Sequence, residues 1–170
     1  MSHAVHFYED DADVTARIMA YIDSGMSAGS SVIVIARTPF LERLKERWLP
    51  LHADRFVSLD AAETLSKLMR NGRLDRDRFM QIIGRLVTGV AARTRHVYIF
   101  GEMVAILWAD EKYDAALELE ELWNELASRV PLTLLCAYPA AAFQENQVGH
   151  RQIRDVHSEL SVQRKPARAP

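Results

Sequence analysis

Ser31-Val32-Ile33-Val34-Ile35-Ala36, running directly into Arg37-Thr38-Pro39-Phe40, decides the fold class of this chain. After Ser31 the run is continuously apolar and does not alternate. A strand of that kind has to be covered on both faces, which is the pattern of a parallel sheet held between two layers of helices. The residues after it start a helix: Thr38 offers a capping hydroxyl and Pro39 stands at the first helical position. Four further β-like runs, His3 to Tyr8, Arg55 to Leu59, His96 to Phe100 and Leu132 to Tyr138, are each followed by a helical pattern, and Leu132 to Ala137 is again continuously apolar. The alternation predicts a three-layer α/β domain with a mostly parallel sheet of five strands, or slightly more. Helices lie on both faces and the crossovers are right-handed.

The remaining helices follow from spacing. Asp60-Ala61-Ala62-Glu63 reads as a start resembling a capping box. From about Lys112 to Val130, Ala116, Leu119, Trp123, Leu126 and Val130 recur at intervals of three and four, while Glu118, Glu121 and Glu125 take the other side. That predicts an amphipathic helix with a core stripe and a solvated acidic face, stopped by Pro131. Residues 1–162 read as a single domain, and the composition of Gln163 to Pro170, with Arg164, Lys165 and Arg168 among prolines and alanines, predicts a disordered basic tail.

Size and charge narrow the function. The chain has 170 residues, with 21 Lys+Arg against 23 Asp+Glu and a formal net charge of −2. A chain of this length buries about 68–70% of its unfolded surface, so it needs no metal or disulfide to hold a core. The near-neutral balance argues against a polyanion binder, because nucleic-acid affinity rests on excess Lys and Arg. The C-terminal basic residues show no helix-turn-helix pattern, so no direct nucleic-acid contact is expected. No apolar run is long enough to span a bilayer. With one cysteine, Cys136, and neither a basic nor an apolar region at the N-terminus, the expectation is a cytoplasmic protein without disulfides.

Familiar chemistries fail on spacing. A phosphate loop needs glycines between an apolar strand and a helix and a Lys that reaches the phosphates; Arg37-Thr38-Pro39-Phe40 has neither, and the glycines of Gly25-Met26-Ser27-Ala28-Gly29 precede their strand and read as helix termination and a turn. His3 and His6 are three apart in a strand and point to opposite faces. His150 and His157 would lie two helical turns apart, about 10.5 Å, too far to share one ion. No metal site and no cofactor are therefore expected. There is no Gly-x-Ser-x-Gly elbow, and Cys136 inside an apolar strand reads as an inert buried thiol. No catalytic residue is assigned.

Open parallel sheets bind ligands at the carboxyl ends of their strands. Those ends are Tyr8-Glu9-Asp10, Arg37-Thr38, Asp60, Gly101-Glu102-Met103 and Tyr138-Pro139. Glu102, beside Met103, Val104 and Trp108, is either a first-turn helix acid or a pairing and ligand-contacting carboxylate, with Arg37 as its candidate partner. Tyr8 and Tyr138 are either walls of such a cleft or core-edge residues. Asp60 reads as a cap.

His6-Phe7-Tyr8, the strand at Ile33 to Ala36, Phe100-Gly101-Glu102-Met103-Val104 with Leu107-Trp108, Leu119-Glu120 with Leu122-Trp123, and Leu135-Cys136-Ala137-Tyr138-Pro139 with Phe143 resemble, in that order, the MEDS domain, a sensory domain named after methanogens, methylotrophs and a dichloromethane-responsive regulator. The resemblance spans about residues 3 to 160. It implies a RecA-like fold without the Walker A phosphate loop, used in prokaryotic signalling proteins. The ligand it implies is a small organic molecule, with His6, Tyr8, Arg37, Glu102, Met103, Trp108 and Tyr138 as candidate ligand-binding residues.

Relatives of this kind often continue into a histidine kinase or a DNA-binding output. The expected partner is accordingly a kinase or regulator protein. Val148, Ile153, Val156, Leu160 and Val162 would pair in a homodimer or dock back onto the sheet. The leading expectation is a non-catalytic sensory domain that binds a small molecule at the carboxyl edge of its sheet and regulates a partner. Two alternatives stand beside it. One is a protein-interaction module with a vestigial nucleotide site; the other is an enzyme gathering a divalent cation on Glu9, Asp10, Asp60 and Glu102.

Overall fold

The computed structural model describes residues 2–38, 40–143 and 147–160. The tail from 163 and Val162 lie outside them. The five expected strands form as β1 (Ser2–Tyr8), β2 (Ser31–Ala36), β3 (Phe56–Asp60), β6 (Val97–Gly101) and β7 (Leu132–Pro139). All pair in parallel, and the short β8 (Glu159–Leu160) adds a sixth strand beside β1, giving the order β3-β2-β6-β7-β1-β8. The chain runs from β1 out to β2 and β3, then returns to place β6 and β7 in the gap. That reversal creates the switch point at which an open α/β sheet forms its crevice.

Strand parity assigns the two layers. Val32, Val34 and Ala36 face α1 (Asp11–Ser27) and α2 (Phe40–His52), together with Ala4, Tyr8, Leu135 and Ala137. Ile33 and Ile35, with Val5, Leu134, Cys136 and Tyr138, face the larger layer. That layer comprises α3 (Ala61–Leu68), α4 (Arg76–Phe79) and α5 (Arg85–Ala91) joined by a π-helical turn, α6 (Met103–Ala109), α7 (Tyr113–Arg129) and α8 (Gln147–Val156). Every residue of β2 is buried, as continuous hydrophobicity requires of a central strand.

Local chemistry explains the boundaries. Asp10 Oδ1 accepts the Asp13 N–H at 2.8 Å and caps α1, and Asp60 Oδ1 accepts the Glu63 N–H at 2.8 Å and caps α3. Thr38 does not cap α2 as expected: its hydroxyl donates to Asp60 Oδ2 at 2.8 Å, tying the end of β2 to the end of β3. Gly25 also departs from its reading as a helix terminator. It lies inside α1, where a Cβ would sit 2.8 Å from Tyr98 Cγ and 2.9 Å from a Val32 methyl. The turn is made instead by Gly29, with φ of +71°.

One motif escaped the sequence reading. Asn71-Gly72, with φ of 51° and 77°, closes a two-residue hairpin between β4 (Met69–Arg70) and β5 (Arg73–Leu74), the preferred chemistry for such a turn. At the other end of the chain, Ile153 is fully buried and α8 packs against α7, while Val148 stays 61% exposed. Within the chain α8 docks onto the larger layer through Ile153. No described helix is long and apolar enough to cross a membrane.

Two substitutions test this packing. Gly25→Ala forces a methyl into β2 and Tyr98 and is expected to destabilise the fold by about 1–3 kcal/mol in urea unfolding, the range for overpacking. Asp60→Ala is expected to cost about 1 kcal/mol, with Asp60→Asn nearly neutral because it keeps the cap acceptor. Backbone hydrogen bonding from Glu63, then the Thr38 hydroxyl, holds the Asp60 carboxyl below its ordinary value. Its contribution is therefore complete above the unfolded carboxyl's titration near pH 3.9 and is lost as pH falls through the lower folded value. The difference between wild type and Asp60→Ala should shrink in that acid range.

Candidate functional site

Two polar constellations lie on opposite faces of the sheet. The first stands at the carboxyl edge. Glu102 follows β6 and its N–H still bonds Ile35 O at 2.9 Å, so sheet geometry fixes its backbone. It occupies the N-cap position of α6 without capping it; the carboxylate turns to the end of β2 and accepts the Arg37 N–H at 2.7 Å. The Arg37 guanidinium is 3.5 Å away and 54% exposed, while the Glu102 side chain is 7% exposed. The short backbone bond therefore does most of the holding, since a long, half-exposed ion pair contributes little.

Around this pair is a cavity of about 320 Å³ lined by Tyr8, Thr15, Arg37, Thr38, Phe40, Arg43 and Glu102, with Asp11 and Val14. Burial raises the Tyr8 phenol above its ordinary value; Arg37 opposes the rise and Glu102 adds to it. Arg43 lies over the Phe40 ring at 5.5 Å. Tyr8, Arg37 and Glu102 are thus brought together.

The other expected site residues are not at this cavity. Met103 is 1% exposed and packs into the larger layer, not beside the Glu102 carboxylate. Trp108 belongs to an aromatic group, 4.7 Å from Phe143 and 4.6 Å from Tyr113 between ring centroids. His6 is on the α1 face, its Nε2 3.4 Å from Asp13 Oδ2. Nor do the acids gather as a cation site: Asp10 and Asp60 cap helices and Glu102 is committed to Arg37. The helix terminus following β1 is satisfied by its own carboxylate, which disfavours a phosphate there.

The second constellation is buried in the α7 face, and Tyr138 belongs to it. Its hydroxyl donates to Glu120 Oε1 at 2.7 Å. Glu120 is fully buried, while Glu118 and Glu121 stay on the exposed acidic side expected of α7. Around its carboxylate stand His3 Nε2 at 3.2 Å, Cys136 Sγ at 3.4 Å and His157 Nε2 at 3.4 Å. Burial alone would raise the Glu120 carboxyl; the His157 charge first, and then the close approach of His3, outweigh it and hold the group well below the carboxylate range. Burial lowers His157, and the Glu120 charge more than reverses this, so the imidazole ends above its ordinary value. Burial, reinforced by the same charge, pushes Cys136 and Tyr138 up and keeps both protonated.

The sequence reading missed Glu120, His3 and His157, although signals were present. Glu120 lies four residues after Ala116 and three before Trp123, inside the core stripe. His157 was paired with His150 on one helix, but α8 stops at Val156 and the chain turns, carrying His157 inward. His3 shares the α7 face with Val5, which pairs with Cys136. Glu120→Leu removes the acceptor of the Tyr138 hydroxyl and the carboxylate that faces His3 and His157, and is expected to cost about 3–5 kcal/mol of stability in denaturant unfolding, the range for breaking a buried pair by removing one partner.

Comparison with known proteins agrees with this architecture. The crystal structure of a KaiC-like protein from the hyperthermophilic archaeon Pyrococcus horikoshii OT3 superposes with a TM-score of 0.53 at 12% identity over 82% of this chain. The match covers 64% of that protein's length, and likeness at this identity speaks for the fold alone. No curated protein matches the sequence. The family model of the MEthanogen/methylotroph, DcmR Sensory domain matches residues 2–158. With the KaiC-like sheet and nearly the whole sequence accounted for, the chain belongs to the MEDS family of sensory domains.

Proposed function

We propose that this domain is a non-catalytic cytoplasmic sensor that binds a small organic molecule in the carboxyl-edge cavity and passes the change to a partner protein, a kinase or regulator. The single observation that supports it best is Glu102, a nearly buried carboxylate held by the Arg37 backbone on the wall of a cavity at the sheet's switch point. A volume of about 320 Å³ suits a ligand at the small end of the usual range. The Arg37 and Arg43 guanidiniums keep donors in the cavity that Glu102 does not consume, and Phe40 and Val14 supply an apolar wall. A small molecule with an acidic or strongly accepting end and a short apolar body matches that lining.

The test screens a panel of small organic acids and alcohols by thermal shift and isothermal titration. Binding should fall about tenfold or more in Arg37→Ala. Glu102→Gln keeps an acceptor for the backbone N–H but removes the charge that positions the guanidinium; it should also weaken binding, while stability changes by only about 1 kcal/mol. If no compound binds the folded wild type, or if both variants bind as wild type does, the sensing reading fails and the interaction-module reading gains.

A further inference from the structure

We propose that His3, Glu120, Cys136 and His157 form a buried tetrahedral site for one zinc ion. It lies on the opposite face of the sheet from the cavity above and does not rest on the sensing reading.

Geometry carries the argument. One ligand atom from each of the four residues can be chosen so that all lie within 4.8 Å of one another. The measured separations are 3.2 Å from His3 Nε2 to Glu120 Oε2, 3.5 Å from His3 Nε2 to Cys136 Sγ, 3.4 Å from Cys136 Sγ to Glu120 Oε2 and 3.4 Å from His157 Nε2 to Glu120 Oε1. Zinc bonds of about 2.0–2.1 Å to nitrogen and oxygen and about 2.3 Å to sulfur, arranged tetrahedrally, place ligand atoms about 3.3–3.6 Å apart. The separations among His3 Nε2, Cys136 Sγ and Glu120 Oε2 are close to three edges of one zinc tetrahedron, and His157 Nε2, 3.4 Å from the other Glu120 oxygen, approaches as the fourth ligand. The 3.4 Å from His157 Nε2 to Glu120 Oε1 is longer than a good N–H···O hydrogen bond. His157 Nε2 makes no hydrogen bond at all, although its side chain is fully buried.

The surrounding groups point the same way. Asn124 Nδ2 donates to Val156 O at 2.8 Å, which fixes the amide so that its Oδ1 accepts from His3 Nδ1 at 2.8 Å. The Ile153 carbonyl, which can only accept, takes the His157 Nδ1 proton at 2.6 Å. Both rings are thereby held with Nε2 facing the cluster. Tyr138 orients the Glu120 carboxylate from outside. Outer partners of this kind, fixing tautomer and ring direction, are what metal-binding histidines and carboxylates carry. Two imidazoles, a thiolate and a carboxylate at tetrahedral spacing select zinc over the hard oxygen-seeking cations. Binding displaces the Cys136 thiol proton. It would bond β1, β7 and α7 to the segment after α8, closing the C-terminal part of the domain onto the first strand.

The test uses the full chain. Metal analysis after purification, and titration of chelator-treated protein with Zn²⁺, should give one zinc per chain and a rise in melting temperature. Loading with Co²⁺ should give the intense visible absorption of a tetrahedral site and a near-ultraviolet thiolate band. Cys136→Ser should abolish that band. Asn124→Ala, which leaves all four ligands in place, should weaken Zn²⁺ about 10–100-fold, as loss of an outer-shell partner does. His52→Gln, on the remote α2, should bind as wild type does. Folded wild-type protein that takes up no zinc at micromolar free metal overturns the proposal, as does Co²⁺ bound without a thiolate band. These two wild-type readings decide the matter even if Cys136→Ser fails to fold.

Discussion

The Glu120 carboxylate is the constraint on which the rest of this structure depends. A carboxylate with no exposed surface costs several kcal/mol to desolvate, and it survives only where geometry returns that energy through partners. Here four partners come from three places in the chain: His3 on β1, Cys136 and Tyr138 on β7, and His157 beyond α8. The register of β1 against β7, the rotation of α7 about its axis and the inward turn after Val156 must all be right at once for the charge to be satisfied. A slip of one residue in β1 would send His3 to the opposite face.

The same principle, a carboxylate answered by the end of another strand, builds the carboxyl edge. Glu102 reaches across from β6 to the Arg37 N–H, and Asp60 reaches from β3 to the Thr38 hydroxyl. Both acids tie the turn after β2 to its neighbours. The cavity stays open because these side chains are held sideways along the strand ends instead of folding over them. The edge is consequently polar and held in place by these bonds.

The two constellations differ in how they use the fold. The Glu102 edge is built from the loops that leave parallel strands at the fold's switch point. The Glu120 cluster lies inside a layer interface and joins the beginning of the domain to its last described strand. Ser158 reinforces the join: its N–H donates to His3 O at 2.9 Å, and its Oγ accepts the His3 N–H at 2.9 Å.

The sequence by itself determined the sheet and its helices, because continuous apolar runs such as Val32 to Ala36 and stripes such as Ala116 to Leu126 report burial through periods of two and 3.6. It determined the carboxyl-edge residues Tyr8, Arg37 and Glu102 for the same reason: strand ends can be read wherever strands can. Asn71-Gly72 was equally legible as a hairpin turn but is so local that the helical alternation around it masks it. Tertiary structure alone decided which groups meet the Glu120 carboxylate and which histidines share a neighbourhood. His3 and His157 are separated by nearly the whole chain, and their rings lie 4.1 Å apart only because β8 joins the edge of the sheet beside β1. Spacing along a chain measures distance within one element; the distance between elements is set by strand order and by where the last helix stops.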